Sequence, residues 1–258
     1  MKLSSILNKR NYEYAFYRFK RFPKSIKTRT EFLEVLTIQE LLDLININDY
    51  DKIVAVSSGP SSSNLILENR TLYFSTNASI ELIKNHPCIY SVNDSYYLEK
   101  YMKTCHKHKG IVAMLSWYYA TPKNLLNPSL IRFKKFLSKY QRDYPELLLS
   151  NEENKSTNHQ LFKEISLLLK NEFNFSFYGV NSGFVLTVLA FVIAYCSKKE
   201  LEIYGLDMGN GSRAYFNSKS HKVGHSVNSL NSRSIVNNFF QKINDQNRIA
   251  ITNHSFFP

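Results

Sequence analysis

The sequence predicts an α/β fold, with a mostly parallel sheet flanked by helices. Short β-branched runs that end in turn residues alternate with helical stretches, and this alternation favours parallel strands joined by crossovers. Hydrophobic residues make up 43% and aromatic residues 14% of the 258-residue chain. Such a chain can bury a full core, and its size suits one large domain with an extension.

Local patterns predict the elements of the N-terminal half. In "TIQELLDLI", Thr37 and Glu40 have the spacing of a capping box, and leucines follow on a helical stripe. We expect one or two helices over 28–47. "KIVAV" is short and β-branched, so it predicts a strand over 52–57. Further strands are expected at "TLYFST" (71–76), "PCIYSV" (87–92) and "GIVAML" (110–115).

The C-terminal half completes the alternation. We expect a helix with a basic face over 127–147, a polar surface loop at 150–160 and a helix through 160–171. The apolar run over 182–196 is shorter than the roughly 20 residues of a membrane span, so it predicts a buried core helix and no transmembrane segment. "ELEIYGLD" predicts a strand over 200–207.

Positive charge concentrates at the N-terminus. Of the net charge of +12, +7 lies within residues 1–27, where eight Lys or Arg stand against one Glu and aromatic residues are interleaved. This segment suits an anionic membrane surface, a nucleic acid, or docking on its own domain as a solvated basic helix. We therefore divide the chain into a basic helical N-terminal extension, 1–50, and a main domain, 51–258.

Several classes of site are disfavoured by the sequence. Three cysteines cannot build a disulfide framework and no secretory leader pattern opens the chain, so a reducing cytoplasm is expected. "CHKH" (105–108) lacks a fourth ligand and the spacing of a zinc site. There is no Gly-x-Ser-x-Gly elbow, and Glu152 with Glu153 lies in a polar loop without the opposed geometry of glycoside hydrolases.

Residues that follow the predicted strands are the first candidates for a ligand site, because ligands of open parallel sheets bind beyond the carboxyl ends of the strands. These positions hold small, amide-bearing or acidic residues, namely Ser57 to Ser61, Asn77, Asn93 and Asp207. The Ser-Gly-Pro-Ser turn over 58–61 offers backbone N–H groups to a phosphate. An ordinary turn needs no ligand, however, and this one lacks the Walker lysine and the GxGxxG spacing.

Two further motifs point to chemistry. Asn181, Ser182 and Gly183 begin the apolar helix, where unpaired N–H groups favour anions, although simple N-capping accounts for the same residues. In "EIYGLDMGNGSRAYFNSKSHKVGHSVNS" (202–229), a strand ends at Asp207, a glycine-rich turn follows, and His225 lies in a second glycine-flanked loop.

In this order the motifs resemble the bacterial sialyltransferases of glycosyltransferase family 42. The resemblance covers about residues 52–258 and rests on "SSGPS", "STNAS", "SVNDS", "NSG", "YGLD", "SRAY" and "VGHS". It implies a Rossmann-like, GT-A-like variant of the α/β fold with a short lid near 209–224. The chain departs from the family pattern at Ser57, Ser58 and Gly209.

The resemblance implies an inverting transfer of sialic acid from CMP-sialic acid to a hydroxyl of a surface glycan, such as lipooligosaccharide or capsule, without metal or cofactor. His225 would be the general base, Tyr215 would stabilise the leaving phosphate, and Asp207 would lie at the cytidine ribose. The residues that would bind the donor are Ser58, Gly59, Pro60, Ser61, Asn77, Asn93, Asn181, Ser182, Gly183, Gly205, Asp207 and Ser212.

The expected partners follow from this activity. They are CMP-sialic acid or a related CMP-sugar, a lipid-linked glycan acceptor, the inner face of the cytoplasmic membrane through residues 1–27, and a second copy of the chain in a homo-oligomer. Two alternatives stay open. One is a transferase that uses CMP-Kdo or another CMP-nonulosonate, and the other is a basic nucleic-acid-binding protein, whose affinity would fall steeply with salt.

Overall fold

Within the part of the chain that the structure describes, seven strands form one sheet in which all paired neighbours are parallel. The computed structural model describes residues 33–91, 97, 100, 101, 104, 105, 107–118, 145–151, 153, 156–217 and 230–257. The strands are β1 (Lys52–Val56), β2 (Thr71–Thr76), β3 (Cys88–Ser91), β4 (Ile111–Tyr118), β5 (Glu146–Ser150), β6 (Glu200–Tyr204) and β7 (Ile251–Asn253). Their order in the sheet is β5-β4-β3-β2-β1-β6-β7. This confirms the predicted α/β fold with a parallel, Rossmann-like sheet.

Helices cover both faces of this sheet. Those with described bounds are α1 (Ile38–Leu44), α2 (Ile80–Ile83), α3 (His159–Phe173), α4 (Ser182–Ser197) and α5 (Leu230–Gln246), and 3₁₀ turns occur at Ile47–Asp49, Pro60–Asn64 and Asn77–Ser79. Helix α4 is buried at every residue from Phe184 to Ala194 and packs on β1, β2 and β6. The predicted apolar core helix is therefore confirmed. No helix in the described ranges is long and apolar enough to cross a membrane.

Each face of the sheet has its own apolar cluster. On one face, Ile53 and Ala55 of β1 join buried residues of α1, α3, α4 and α5 in the larger cluster. On the other face, Val54 and Val56 join Tyr73 and residues of α2 in a smaller cluster. Because alternate residues of a strand point to opposite faces and both faces are covered, β1 is a continuous apolar run.

The predicted N-terminal extension is described only from Leu33 onward. In this part Val35, Ile38 and Leu41 are buried in the larger cluster, together with residues of the sheet. Residues 1–32, which include the whole basic segment 1–27, lie outside the described residues.

Strand β5 corrects the sequence-based assignment of this region. We expected a helix to extend to residue 147 and a polar loop to begin at 150, but Glu146–Ser150 pairs with β4 as a parallel strand. Three consecutive leucines fit a helix and a buried strand equally well, and only burial on both faces separates the two. Residues 127–144 lie outside the described part. The sequence analysis also left α5 and β7 unassigned.

Candidate functional site

The chain reverses its direction of travel across the sheet between β1 and β6. From β1 it proceeds to β2, β3, β4 and β5 on one side, and from β6 it proceeds to β7 on the other. In open parallel sheets, ligands bind at such a reversal, outside the carboxyl ends of the two strands. The loops after β1 and β6 therefore meet where a ligand is expected, and both loops were singled out from the sequence.

Direct hydrogen bonds join these two loops. The N–H of Gly59 donates to the carbonyl of Gly205 at 3.0 Å, and the N–H of Ser61 donates to Oδ2 of Asp207 at 2.8 Å. The hydroxyl of Ser61 lies 2.5 Å from Oδ1 of Asp207 and accepts a bond from the N–H of Gly205 at 2.9 Å. The structure thus brings together four of the predicted donor-binding residues.

Gly59 is required by this close approach. A Cβ added at residue 59 would lie 2.4 Å from both Oδ2 of Asp207 and the carbonyl oxygen of Gly205. Gly205 is constrained as well, because its φ is +75° and an added Cβ would lie 2.3 Å from the carbonyl oxygen of Ser57. The small residues of this turn therefore satisfy a backbone packing requirement whether or not a ligand is bound.

Asp207 connects the loops of the site through its buried carboxylate. The residue is only 2% exposed. Besides Ser61, the N–H of Phe256 donates to its Oδ1 at 2.8 Å. The carboxylate thus accepts three hydrogen bonds from the protein itself. Its contact with the cytidine ribose stays a prediction.

The segment after β7 closes over the β6 loop, and the sequence analysis missed it. The N–H of Leu206 donates to the hydroxyl of Ser255 at 3.0 Å, and Nδ2 of Asn210 donates to the carbonyl of Phe256 at 2.9 Å. Nothing in the local pattern of residues 254–257 signals this contact, because the partners are more than 40 residues apart in the chain.

The N-terminus of α4 lies against the end of β1. Oδ1 of Asn181 accepts the N–H of Phe184 at 2.9 Å, which confirms the expected N-cap. The Nδ2 of Asn181 lies 3.4 Å from Sδ of Met208. A Cβ added at Gly183 would lie 2.7 Å from Oγ of Ser57, so helix and strand end are in close contact. The first-turn N–H groups of α4 have no intrahelical partner.

Three buried side-chain oxygens at this edge make no hydrogen bond of good geometry among the described residues, namely Oγ of Ser57, Oγ1 of Thr76 and Oδ1 of Asn77, although Oγ1 of Thr76 faces the N–H of Ser79 in a capping box. Ser57 is 3% exposed and Thr76 is 1% exposed. Ser57 and Thr76 occupy equivalent positions on neighbouring strands, because each directly follows a member of the Val56–Ser75 pair of the β1–β2 register. Buried polar groups are nearly always satisfied, so a cluster of unsatisfied oxygens indicates space for a polar ligand or water.

Ser57 was among the strand-end positions expected to face a ligand but not among the expected donor-binding residues, and Thr76 was in neither set. Strand alternation could have identified Thr76. Thr76 points to the same face of β2 as Phe74, and Phe74 belongs to the larger cluster. Asn77, which was predicted, adopts a left-handed φ of 52°, and its carbonyl accepts the hydroxyl of Tyr90 at 3.2 Å.

The segment that contains Tyr215 returns to the β1 loop. The N–H of Phe216 donates to the carbonyl of Ser58 at 3.0 Å, which places the half-buried Tyr215 next to that loop. Burial raises the pKa of Tyr101, and the nearby Tyr215 contributes to the same upward shift. Ser212 is exposed.

Two predicted site residues, Asn93 and His225, lie outside the described residues, and the predicted lid over 209–224 is described only to Asn217. Pro60 borders the site, since its Cγ is 3.1 Å from a Cβ built at Gly211. Among the residues that the structure describes, no group of three His, Cys, Asp or Glu side chains could hold a metal ion.

The candidate site thus lies at the carboxyl ends of β1, β2 and β6 and at the first turn of α4, where hydrogen-bond donors and small side chains meet. Comparison with protein-family models, with curated proteins and with solved structures finds no match for this chain.

Proposed function

We propose that the chain is an inverting, metal-independent glycosyltransferase that moves sialic acid from CMP-sialic acid to a hydroxyl of a surface glycan, on a GT-A-like variant of the Rossmann-like fold. The observation that carries the proposal is that Ser57, Thr76 and Asn77 have unpartnered buried oxygens at the carboxyl ends of β1 and β2, and that Oγ of Ser57 lies against the first turn of α4. A ligand that satisfies them needs acceptor oxygens for the hydroxyls and a donor for the amide oxygen.

The donor substrate has groups that match these requirements. CMP-sialic acid carries a phosphate and a carboxylate, and helix N-termini favour such anions through free N–H groups and the helix dipole. The hydroxyls of Ser57 and Thr76 can donate to the same oxygens.

The reaction follows from the structure of the donor. The C–O bond at the tertiary anomeric carbon breaks, positive charge develops on the sugar ring, and CMP departs with the bonding electrons. Tyr215 donates a hydrogen bond to the departing phosphate. The acceptor hydroxyl attacks the opposite face of the anomeric carbon, so the configuration inverts. His225 takes the proton of that hydroxyl, a role worth roughly 10²–10⁴ in rate.

Binding of nucleotides tests the site. We expect isothermal titration calorimetry to show that CMP binds more tightly than UMP, GMP or AMP. Ser57→Ala and the nearly isosteric Thr76→Val should each weaken CMP about 10-fold, because each removes a hydrogen bond to a charged group. Ser63→Ala is the matched control, since its hydroxyl is satisfied by the carbonyl of Pro60 at 2.7 Å.

The same variants should not destabilise the free protein. Removing an unpartnered buried hydroxyl removes a desolvation penalty, so the free energy of unfolding in urea should remain within about 0.5 kcal/mol of wild type or increase. Loss of stability together with unchanged CMP affinity would show that the two hydroxyls are structural, and the proposed ligand site would be wrong.

Activity assays separate the candidate donors. Release of CMP from CMP-sialic acid and from CMP-Kdo distinguishes two donors that share the nucleotide and the anomeric carboxylate. His225→Ala should abolish transfer and retain CMP binding. Full transfer activity in that variant would remove His225 as the base.

The N-terminal segment is tested by deletion of residues 1–27. We expect the shortened chain to bind anionic vesicles less tightly and to retain transfer to a soluble acceptor. Steeply salt-dependent binding to nucleic acid that disappears with this deletion, in a protein without affinity for CMP, would favour the nucleic-acid-binding alternative.

A further inference from the structure

Helix α5 brings a guanidinium to the candidate site. Nη2 of Arg233 donates to the carbonyl of Met208 at 2.7 Å. Met208 directly follows Asp207, and its sulfur lies 3.4 Å from Nδ2 of Asn181, the cap of α4. Arg233 thus contacts a residue that connects the β6 loop with the N-terminus of α4.

No carboxylate lies within ion-pair distance of Arg233 among the described residues, and the nearby Asp207 is occupied by Ser61 and Phe256. The guanidinium also lies over the ring of Phe257, whose centroid is 5.9 Å from the guanidinium carbon. Arginine has five N–H donors, and a partly buried arginine ordinarily binds a carboxylate or phosphate.

The neighbouring polar residues supply hydrogen bonds without charge. Ser57 and Thr76 are hydroxyl-bearing, and Asn77 and Asn181 are amides, so none of them neutralises an anion. A helix N-terminus contributes only a partial positive charge. An anion that binds at this edge is therefore incompletely compensated unless a cation lies nearby, and Arg233 meets that need.

We propose that Arg233 is an anion-binding residue of this site and that it pairs with a phosphate or carboxylate held at the first turn of α4. The identification of the ligand as a CMP-activated acid rests on the proposed function. The chemistry common to both groups is a planar or tetrahedral oxyanion, which a guanidinium binds through two parallel N–H donors.

Calorimetry with matched ligands tests the pairing. CMP, cytidine and CMP-sialic acid are titrated into wild type, Arg233→Gln, Arg233→Lys and the control Arg248→Gln. Arg248 carries the same charge but lies after α5, where it pairs with Glu172 at 3.2 Å. We expect Arg233→Gln to weaken CMP about 10- to 100-fold and to leave cytidine unchanged, with partial recovery in Arg233→Lys.

The comparison of ligands identifies the anionic group. Weakening of CMP assigns Arg233 to the phosphate, whereas weakening of CMP-sialic acid alone assigns it to the carboxylate. Both results support the inference, and in either case raising NaCl should reduce the affinity of wild type more than that of Arg233→Gln.

Other results overturn it. Unchanged affinity for both anions, or equal loss for CMP and cytidine, would show that Arg233 only holds the Met208 turn in place. If wild type prefers another nucleotide, the proposed donor is wrong, and the same comparison with that nucleotide and its nucleoside decides the role of Arg233. A wild-type protein that binds none of CMP, UMP, GMP and AMP overturns both proposals.

Discussion

At the residue scale, Asp207 connects three segments that are distant in the sequence. Its carboxylate accepts hydrogen bonds from Ser61 in the β1 loop and from Phe256 in the segment after β7. A carboxylate can accept from all these donors at once because it has two acceptor oxygens and no hydrogen. The geometry of the site therefore depends on the acceptor character of this one side chain.

Asp207→Asn tests this dependence. The amide nitrogen of asparagine would face either the N–H of Ser61 or the N–H of Phe256, and two donors cannot bond to each other. We expect the free energy of unfolding, measured in urea, to fall by about 1–3 kcal/mol.

Asp51→Asn is the matched control for that substitution. Asp51 is exposed and pairs with Arg70 at 2.7 Å, and because solvent screens such a pair, its loss should lower the free energy of unfolding much less than the loss of Asp207. Equal losses in the two variants would mean that the hydrogen bonds of Asp207 contribute no more than a surface ion pair.

At the element scale, the position of α4 decides where the site lies. This helix packs on β1, β2 and β6, and its first turn contacts the end of β1. The cap formed by Asn181 satisfies one of the free N–H groups of that turn. If the first turn unravels, its N–H groups lose their positions next to the hydroxyl of Ser57.

Asn181→Ala should therefore weaken both helix and site. We expect the free energy of unfolding to fall by about 1 kcal/mol, with faster amide hydrogen exchange confined to the first turn of α4. Asn181→Ser retains a capping oxygen and should restore most of the stability. Uniform exchange rates throughout α4 in Asn181→Ala would contradict this role of the cap.

At the scale of the whole molecule, one buried imidazole makes stability depend on pH. His108 precedes β4 and so lies at the amino ends of the strands, whereas the site lies at their carboxyl ends. Nδ1 of His108 accepts the N–H of Gly110 at 3.2 Å. Burial lowers the pKa of His108, and the proximity of His86 lowers it further. Between the folded pKa and the ordinary value near 6.5, the unfolded chain binds more protons than the folded one.

Stability should accordingly fall as the pH decreases below about 6.5. His108 adds at most about 1.4 kcal/mol per pH unit to the slope of the free energy of unfolding against pH. His108→Gln should reduce this slope, whatever the substitution does to stability at neutral pH. Urea unfolding between pH 5 and 7.5 measures the slope. His254→Gln, at an exposed histidine, is the control and should leave the part of the slope that comes from His108 in place. An unchanged slope in His108→Gln would contradict the assignment to His108.

Much of the fold follows from local interactions. The β-branched run "KIVAV" and the apolar run after Asn181 identify β1 and α4, because strand propensity, capping and burial act over a few residues. The placement of Gly59 and Asp207 at strand ends follows from the same patterns. Local patterns failed at β5, where a leucine run is compatible with both helix and strand.

Short-range chemistry in the chain was thus enough to define a parallel sheet and a set of small, polar residues at its carboxyl edge. Which of those residues meet was settled by packing. The pairing of β1 with β6 across more than 140 residues, the unpartnered oxygens at the ends of β1 and β2, and the approach of Phe256 and Arg233 have no local signature. Such contacts form because several elements bury one core together, and their energy depends on neighbours that no short stretch of sequence contains.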